Sequence, residues 1–318
     1  MDMSIIIISW NAQEMLLKCL GSVYGTVVGD NFEVWVVDNG STDGSPEAVK
    51  KNFPDVKLIE NDVNLGFAGA VNLALKRAAG RHIVLLNSDT VLTSGSLETL
   101  TRFMDENPDV GVCGPQLLNV DGTKQNSIAN IPTLATELLN KSLLRRLFPE
   151  SYPGKEHNIE EPVEVESVIG ACMAVRKETI DGVGPLDERF FFFLEETDWC
   201  KRMREGGWRV FFHPGAEVYH AGGGSAERVN TRARVEYWRS RYEFFEKHGS
   251  APERMALRGG LLVKLFLGTF LSLLHNVVTL FTSVTARRRL KLYSTLIGWH
   301  LAGCPAAWGL GTASQEDR

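Results

Sequence analysis

Little in this 318-residue sequence would staple a small secreted fold together. The five cysteines, Cys19, Cys113, Cys172, Cys200 and Cys304, are odd in number, widely spaced and never in a CxxC pair. Neither a disulfide framework nor a zinc site is indicated, and a reducing compartment is predicted. Charge of one sign is missing as well: 34 Lys+Arg against 39 Asp+Glu leave a formal net charge of -5, so no chain-wide basic field draws in nucleic acid, which is not expected as a partner. No basic stretch precedes the first apolar run, Ile5-Ile6-Ile7-Ile8, which is too short for the core of a signal peptide and reads as a buried strand. The chain is therefore expected on the cytoplasmic side. Internal repeats and low-complexity tracts are absent, and 44% hydrophobic with 23% charged residues excludes a disordered chain, a collagen-like repeat and a polytopic membrane protein.

What is present is an alternation. Strand-length apolar runs at 5–9, 32–37, 56–59 and 83–86 are separated by helical patterns at 13–24, after Ser45 and across 68–79. Such alternation predicts an α/β fold, a mostly parallel sheet with helices on both faces. A helix at 96–106, a strand at 110–113 and a turn at Asp121-Gly122 follow. Residues 127–166, with prolines at 132, 149, 153 and 162, read as a loop-rich excursion. Periodicity returns with strands at 165–169 and 172–175, a helix at 195–205 closed by Gly206-Gly207, short strands at 210–212 and 216–219, and a helix at 230–248 rich in arginine and aromatics.

The last 60 or so residues differ in character. From Leu265 to Val284 the only ionisable side chain is His275, a length that could cross a hydrocarbon core of about 30 Å. Gly268, Ser272, Asn276, Thr279 and Ser283 recur at helical spacing on one face, which instead predicts an amphipathic helix lying in the membrane interface. The adjoining run Arg287-Arg288-Arg289-Leu290-Lys291 suits an anionic leaflet, giving a chain peripherally attached to the inner face of the cell membrane. The alternative is a buried helix at the interface of a homo-oligomer.

In a parallel sheet, ligands are met at the carboxyl ends of the strands. There this sequence places Ser9-Trp10-Asn11, Asp38-Asn39-Gly40-Ser41-Thr42-Asp43-Gly44, Asn61-Asp62-Val63-Asn64-Leu65-Gly66-Phe67 and Asn87-Ser88-Asp89. Any one of these could be a turn feeding a helix. Four in succession predict a shared polar crevice. Their content and order, continued by Gly170-Ala171-Cys172-Met173, Phe192-Phe193-Leu194-Glu195-Glu196-Thr197-Asp198 and His220, resemble the family 2 glycosyltransferases of GT-A fold, in particular their bacterial rhamnosyltransferase-like branch. The resemblance spans roughly residues 4–250. It implies a catalytic domain at 1–250, and the apolar and basic pattern beyond it predicts a membrane-associating helical region at 251–318.

The resemblance also implies roles. Asp38 would accept a hydrogen bond from the imide N–H of uracil or thymine, with Ser9 and Asn11 supporting the base and its sugar. Gly66 would let the backbone approach the donor, with Asn64 orienting the loop. Asn87-Ser88-Asp89 resembles the family's Asp-x-Asp motif with its first acid replaced by an amide. That leaves Asp89 as the direct ligand of Mg2+ or Mn2+, His220 as a second ligand, and Asn87 as a contact to the donor sugar. Glu196 falls on the family's general base, beside Glu195, Asp198 and Gly170 as support for acceptor or base. Arg239 and Arg241, with Lys247 and His248, are either a solvated basic face or forks for a diphosphate, the reading taken for Arg241. One base with a metal-assisted leaving group implies displacement with inversion. The expected reaction transfers L-rhamnose from dTDP-L-rhamnose to a saccharide acceptor, lipid-linked on a polyprenyl carrier or part of a polysaccharide, in cell-envelope glycan assembly. A UDP-sugar donor is the alternative. A nucleotidyltransferase is disfavoured for want of a glycine-rich, lysine-containing phosphate loop, and a non-catalytic nucleotide-sugar-binding scaffold by the intact Asp38, Asp89, Glu196 and His220.

Overall fold

The computed structural model describes residues 1–27, 29, 31–149, 159–222 and 230–312. Its elements in chain order are β1 Met3–Ser9, α1 Gln13–Thr26, β2 Phe32–Asp38, α2 Ser45–Asn52, β3 Lys57–Glu60, α3 Gly66–Leu75, β4 His82–Asn87, β5 Thr90–Leu92, α4 Ser96–Glu106, β6 Val110–Leu118, β7 Ile128–Ala129, α5 Leu134–Leu138, α6 Lys141–Leu147, β8 Val163–Glu164, β9 Ser167–Val168, β10 Cys172–Arg176, α7 Lys177–Val183, α8 Glu195–Glu205, β11 Arg209–His220, α9 Asn230–His248, α10 Ala251–Val278 and α11 Val284–Leu301. The chain forms two compact units. One comprises Met1–Ile131 with Phe148–Arg228, the other Pro132–Leu147 with Val229–Arg318. The boundary expected at residue 250 thus falls before α9, because Val235 of that helix shares a core with Leu265, Leu296 and Trp299 of α10 and α11.

The first unit carries the sheet, in the order β3-β2-β1-β4-β10-β6-β11-β5, with β8 also on β11. Strands β3, β2, β1 and β4 run parallel. Strand β10 enters antiparallel between β4 and β6, and β11 pairs parallel with β6 and antiparallel with β5. Both sheet faces are buried, as a run such as Ile5-Ile6-Ile7 requires: Ile5 and Ile7 pack with Leu16, Leu20 and Leu97, while Ile6 packs with Val71, Leu85 and Trp199. Each such side chain is worth about 1.5–3 kcal/mol of burial.

Two expected outlines differ. The helix expected across 68–79 ends at Leu75, because the chain turns off to give Ala79 N–H to Glu33 and Gly80 N–H to Ser4, both at 2.8 Å. The two short strands expected at 210–212 and 216–219 are one strand, β11, which absorbs His213-Pro214-Gly215 as a register shift against β6.

In the second unit, Ser250 and Glu253 form a capping box at the start of α10. The apolar stretch 265–284, expected as a single helix, breaks after Val278, where Leu280 and Phe281 take left-handed φ of 47° and 58°, and α11 begins at Val284. The two faces expected on this stretch are present on α10. The weakly polar face lies inward: Tyr293 lies against Gly268, Ser272 donates to the Ala286 carbonyl at 3.2 Å, and Asn276 is 0% exposed. The apolar face lies outward, with Phe270 at 64% and Val278 at 74% exposure.

Gly66 opens α3 with φ +76°, and a Cβ there would stand 2.4 Å from the Phe191 carbonyl oxygen. The close approach it permits is therefore to the chain segment before α8, where Phe67 N–H donates to that same oxygen at 2.8 Å. Gly66→Ala should lower the unfolding free energy by about 2–4 kcal/mol, from left-handed strain plus overpacking. Urea unfolding checks this, and a shift below about 0.5 kcal/mol, the size of an indifferent surface change, would refute it.

Candidate active site

The register of the central strands assembles the site. Ser9 pairs with Asp38 and Ile8 with Asn87, so β1, β2 and β4 end together. Because β10 runs the other way, its beginning lies at that same edge, and Asn87 N–H donates to the Ala171 carbonyl at 2.9 Å. Strand β11 ends there too, pairing His220 with Thr90.

At the β1–β2 end, Asp38 is buried. One carboxylate oxygen accepts from the Ser41 N–H at 2.9 Å, while the other is buried without a hydrogen-bond partner, as is the Ser9 hydroxyl. Burial raises the Asp38 pKa above its ordinary value. A buried acceptor left open is costly unless a ligand donor meets it. Asn11, at φ +50°, accepts from the Thr42 N–H at 2.8 Å with its side-chain oxygen and donates its own N–H to the Ser41 hydroxyl oxygen at 2.9 Å, so it shapes the loop after β2.

Asn39 is the hub of the neighbouring turn. Its amide donates to Asn64 Oδ1 at 2.9 Å and to the Gly66 carbonyl at 3.0 Å, and its oxygen accepts from Asn61 Nδ2 and the Leu65 N–H. Asn64 in turn accepts the Gly66 N–H at 2.9 Å. Every polar site of the Asn39 side chain is used, which fixes the β3–α3 turn against the end of β2.

At the β4 end, Asp89 Oδ1 and His220 Nε2 face each other at 3.4 Å, both partly buried. A carboxylate oxygen with an imidazole nitrogen is a donor set that Mn2+ or Mg2+ accepts, and two protein ligands leave most of the shell to phosphate oxygens and water. No group of three His, Cys, Asp or Glu side chains lies together among the described residues.

Glu196 sits in the first turn of α8, directly after Phe193 and Leu194, two consecutive residues at left-handed φ of 74° and 68°. Gly170 lies against it: a Cβ on Gly170 would be 3.3 Å from Glu196 Cβ and Cγ. Burial raises the Glu196 pKa, against the opposing pull of backbone N–H groups including those of Thr197 and Gly170. The Asn87–Ala171 hydrogen bond and the Gly170–Glu196 contact join the acid to the Asp89 strand end.

The sequence model of glycosyl transferase family 2 matches residues 4–184. The chain belongs to that family. It is 30% identical over 278 residues to the N-acetylglucosaminyl-diphospho-decaprenol L-rhamnosyltransferase of Mycobacterium tuberculosis, spanning 81% of this chain and 87% of the relative. It is 25% identical to the dTDP-rhamnosyl transferase RfbF of Shigella flexneri over 70% of each chain. Among solved structures, the Pyrobaculum calidifontis mannosyltransferase PcManGT, in complex with GDP-Man and Mn2+, superposes with a TM-score of 0.57 at 17% identity, covering 94% of this chain and 86% of that one. The fold is that of the GT-A glycosyltransferases, and the chain is a glycosyltransferase.

Within this glycosyltransferase, some expected site residues have other employment. Asp198, buried, is paired with Arg202 at 2.9 Å, and Arg202 also reaches the Val183 and Pro185 carbonyls, so the acid ties α8 to the loop after α7. Arg241 lies in the second unit, where Glu137 takes its guanidinium at 3.3 Å and the Tyr237 and Trp238 rings lie beneath it at 4.9 and 4.6 Å. Glu195 is buried. The sequence reading missed Asn39 as the organiser and Gln125 beside His220. Asn39 was inside a motif already singled out, whereas nothing local marks Gln125.

Asp198→Ala should cost about 3 kcal/mol or more of stability by leaving Arg202 half-buried and unpaired. Chemical unfolding of the variant tests this, and an unfolding midpoint equal to that of the parent chain would dismiss the structural role.

Proposed function

We propose that this chain is an inverting, metal-dependent rhamnosyltransferase, moving L-rhamnose from dTDP-L-rhamnose to a hydroxyl of a polyprenyl-linked or polysaccharide acceptor in cell-envelope glycan assembly. The observation that carries the donor class is the open, buried carboxylate oxygen of Asp38 at the β1–β2 end. It is an acceptor waiting for one N–H, which the imide of thymine or uracil supplies and cytosine does not. The rhamnosyl choice is supported by the two rhamnosyltransferase relatives. A UDP-sugar is the second reading, since Asp38 meets the same edge in uracil.

Asp89 and His220 would hold a divalent ion, which when bound offsets the charge that grows on the departing diphosphate. Glu196 takes the proton of the acceptor hydroxyl as that oxygen attacks the anomeric carbon opposite the leaving group. Gly170 leaves room beside it, and the N–H groups of Gly170 and Thr197 orient the carboxylate. The fully used Asn39 hydrogen bonds hold the donor-side turn rigid, which lowers the ordering cost of binding.

The outward apolar face of α10, including Val263, Phe266, Phe270 and Val277, adjoins the exposed Arg287, Arg288, Arg289 and Lys291 of α11. Apolar surface beside a basic cluster suits the interface of an anionic bilayer, where a lipid-linked acceptor would reside.

Incubation with a panel of dTDP-, UDP- and GDP-sugars should release nucleoside diphosphate from dTDP-rhamnose in the presence of Mg2+ or Mn2+, and chelator should stop it. Glu196→Gln should cut turnover at least about 100-fold while leaving donor binding in place. Because the raised Glu196 pKa keeps the acid protonated to higher pH, kcat should fall on the acid side at a pH above the ordinary glutamate value of about 4.3. Release from GDP-sugars alone would defeat the donor assignment, and full activity of the Gln variant would defeat the base. In flotation, the full chain should bind phosphatidylglycerol vesicles and leave neutral ones, with Arg287→Glu/Arg288→Glu/Arg289→Glu abolishing attachment. Equal binding of the parent and triple variant would remove the basic run from the account.

A further inference from the structure

Beside His220, five side chains form a hydrogen-bonded line whose direction is fixed at one end. Asp121 is a carboxylate, held below the usual range by Thr123, and can only accept. Thr123 has one hydroxyl proton, which it gives to Asp121 at 2.7 Å. Its oxygen therefore accepts from Asn119 Nδ2, also at 2.7 Å. That turns Asn119 Oδ1 toward Gln125, whose Nε2 donates to it at 2.8 Å and, with its second proton, to the His220 main-chain carbonyl at 2.6 Å. Both amide protons of Gln125 are then used, and only its oxygen is left for the His220 ring, 3.0 Å from Nδ1.

An amide oxygen cannot donate, so His220 must carry its proton on Nδ1. In the neutral ring the Nε2 lone pair then faces Asp89 Oδ1 across 3.4 Å, two acceptors with nothing of their own to share. The opposite tautomer would put an N–H on Nε2, give it to Asp89 and close the pair as an internal hydrogen bond. Gln125 opposes that state because its oxygen would meet the bare Nδ1.

We propose that Gln125 is a positioning residue which, through the Asp121–Thr123–Asn119 line, locks His220 in the Nδ1–H tautomer and so keeps His220 and Asp89 open as a ready-made divalent-cation site. This rests on the reading that the pair holds the ion of the transferase reaction. It assigns a task to the turn between β6 and β7, which otherwise has no part in the site. Groups that orient a ligand imidazole commonly change metal affinity by about 10–100-fold when removed.

The test uses the full chain, 15N-labelled in its histidine rings, metal-free and at pH 8, with His220 assigned from a His220→Gln spectrum. The wild type should show the Nδ1–H tautomer. Gln125→Leu should move His220 toward Nε2–H and weaken Mn2+ binding in calorimetry about 10–100-fold. Gln125→Glu, which keeps an acceptor at Nδ1, should retain the Nδ1–H form. A wild-type ring protonated on Nε2 overturns the proposal whether or not any variant folds. So does Gln125→Leu with the parent tautomer and parent Mn2+ affinity. A wild type that shows Nδ1–H but binds no Mn2+ overturns the cation site itself, which separates that failure from a failure of the tautomer lock.

Discussion

The alignment of strand ends is the constraint on which the rest of the first unit depends. Parallel pairing of β1 with β2 and with β4 sets Ser9 beside Asp38 and brings Asn87 to the same edge. A parallel sheet alone would place every following strand in the same sense. Here β10 reverses, so the loop before it, with Gly170 and Ala171, arrives where β4 ends instead of at the far side. The same reversal of β5 against β11 brings His220 back to Asp89. A one-residue slip in any of these pairings would turn the side chains to the opposite face and scatter the site.

The energetics of the site follow from where polar groups are left over. Asn39 has every polar site filled by neighbours, Asn64 and Asp198 are bonded to neighbours through a side-chain oxygen, and all three act as framework. Asp38 and Ser9 keep a buried polar atom open, and Glu196 is buried enough to raise its pKa. Leaving such groups unsatisfied costs stability, of the order of 1–3 kcal/mol each, and the adjoining strain at Phe193 and Leu194 adds to it. The framework residues offset that cost. Rigid support around a few open groups is the arrangement expected of a site that must bind a charged ligand without rearranging.

The second unit obeys a different solvent logic. Its internal contacts use the small and weakly polar residues of α10, Gly268, Ser272 and Asn276, and allow Tyr293 and the Ala286 carbonyl of α11 to come close. Leu257, Leu261 and Leu265 are buried, while Phe266, Phe270, Leu271 and Val278 are left outside. In water this distribution is unfavourable at about 25 cal/mol per Å2 of exposed apolar surface.

Much was legible in the sequence. The alternation of apolar runs determined the α/β class, because strands buried on both faces must be apolar at successive positions, as Ile5-Ile6-Ile7 is. The polar clusters after four of those runs come to one edge of the sheet, since the carboxyl ends of neighbouring parallel strands coincide. Sequence periodicity likewise found two faces on α10, but not which one turns inward, because that depends on what α11 presents. The employment of individual side chains was decided only in three dimensions. Asp198 and Arg241 are charged residues in suggestive places whose partners, Arg202 and Glu137, are set by packing and pairing rather than by motif. Gln125 lies 95 residues from His220, and only the pairing of β11 with β6 and β5 closes that distance. Local pattern reports which residues could do chemistry, while hydrogen-bond partners across long sequence separations decide which of them remain free to do it.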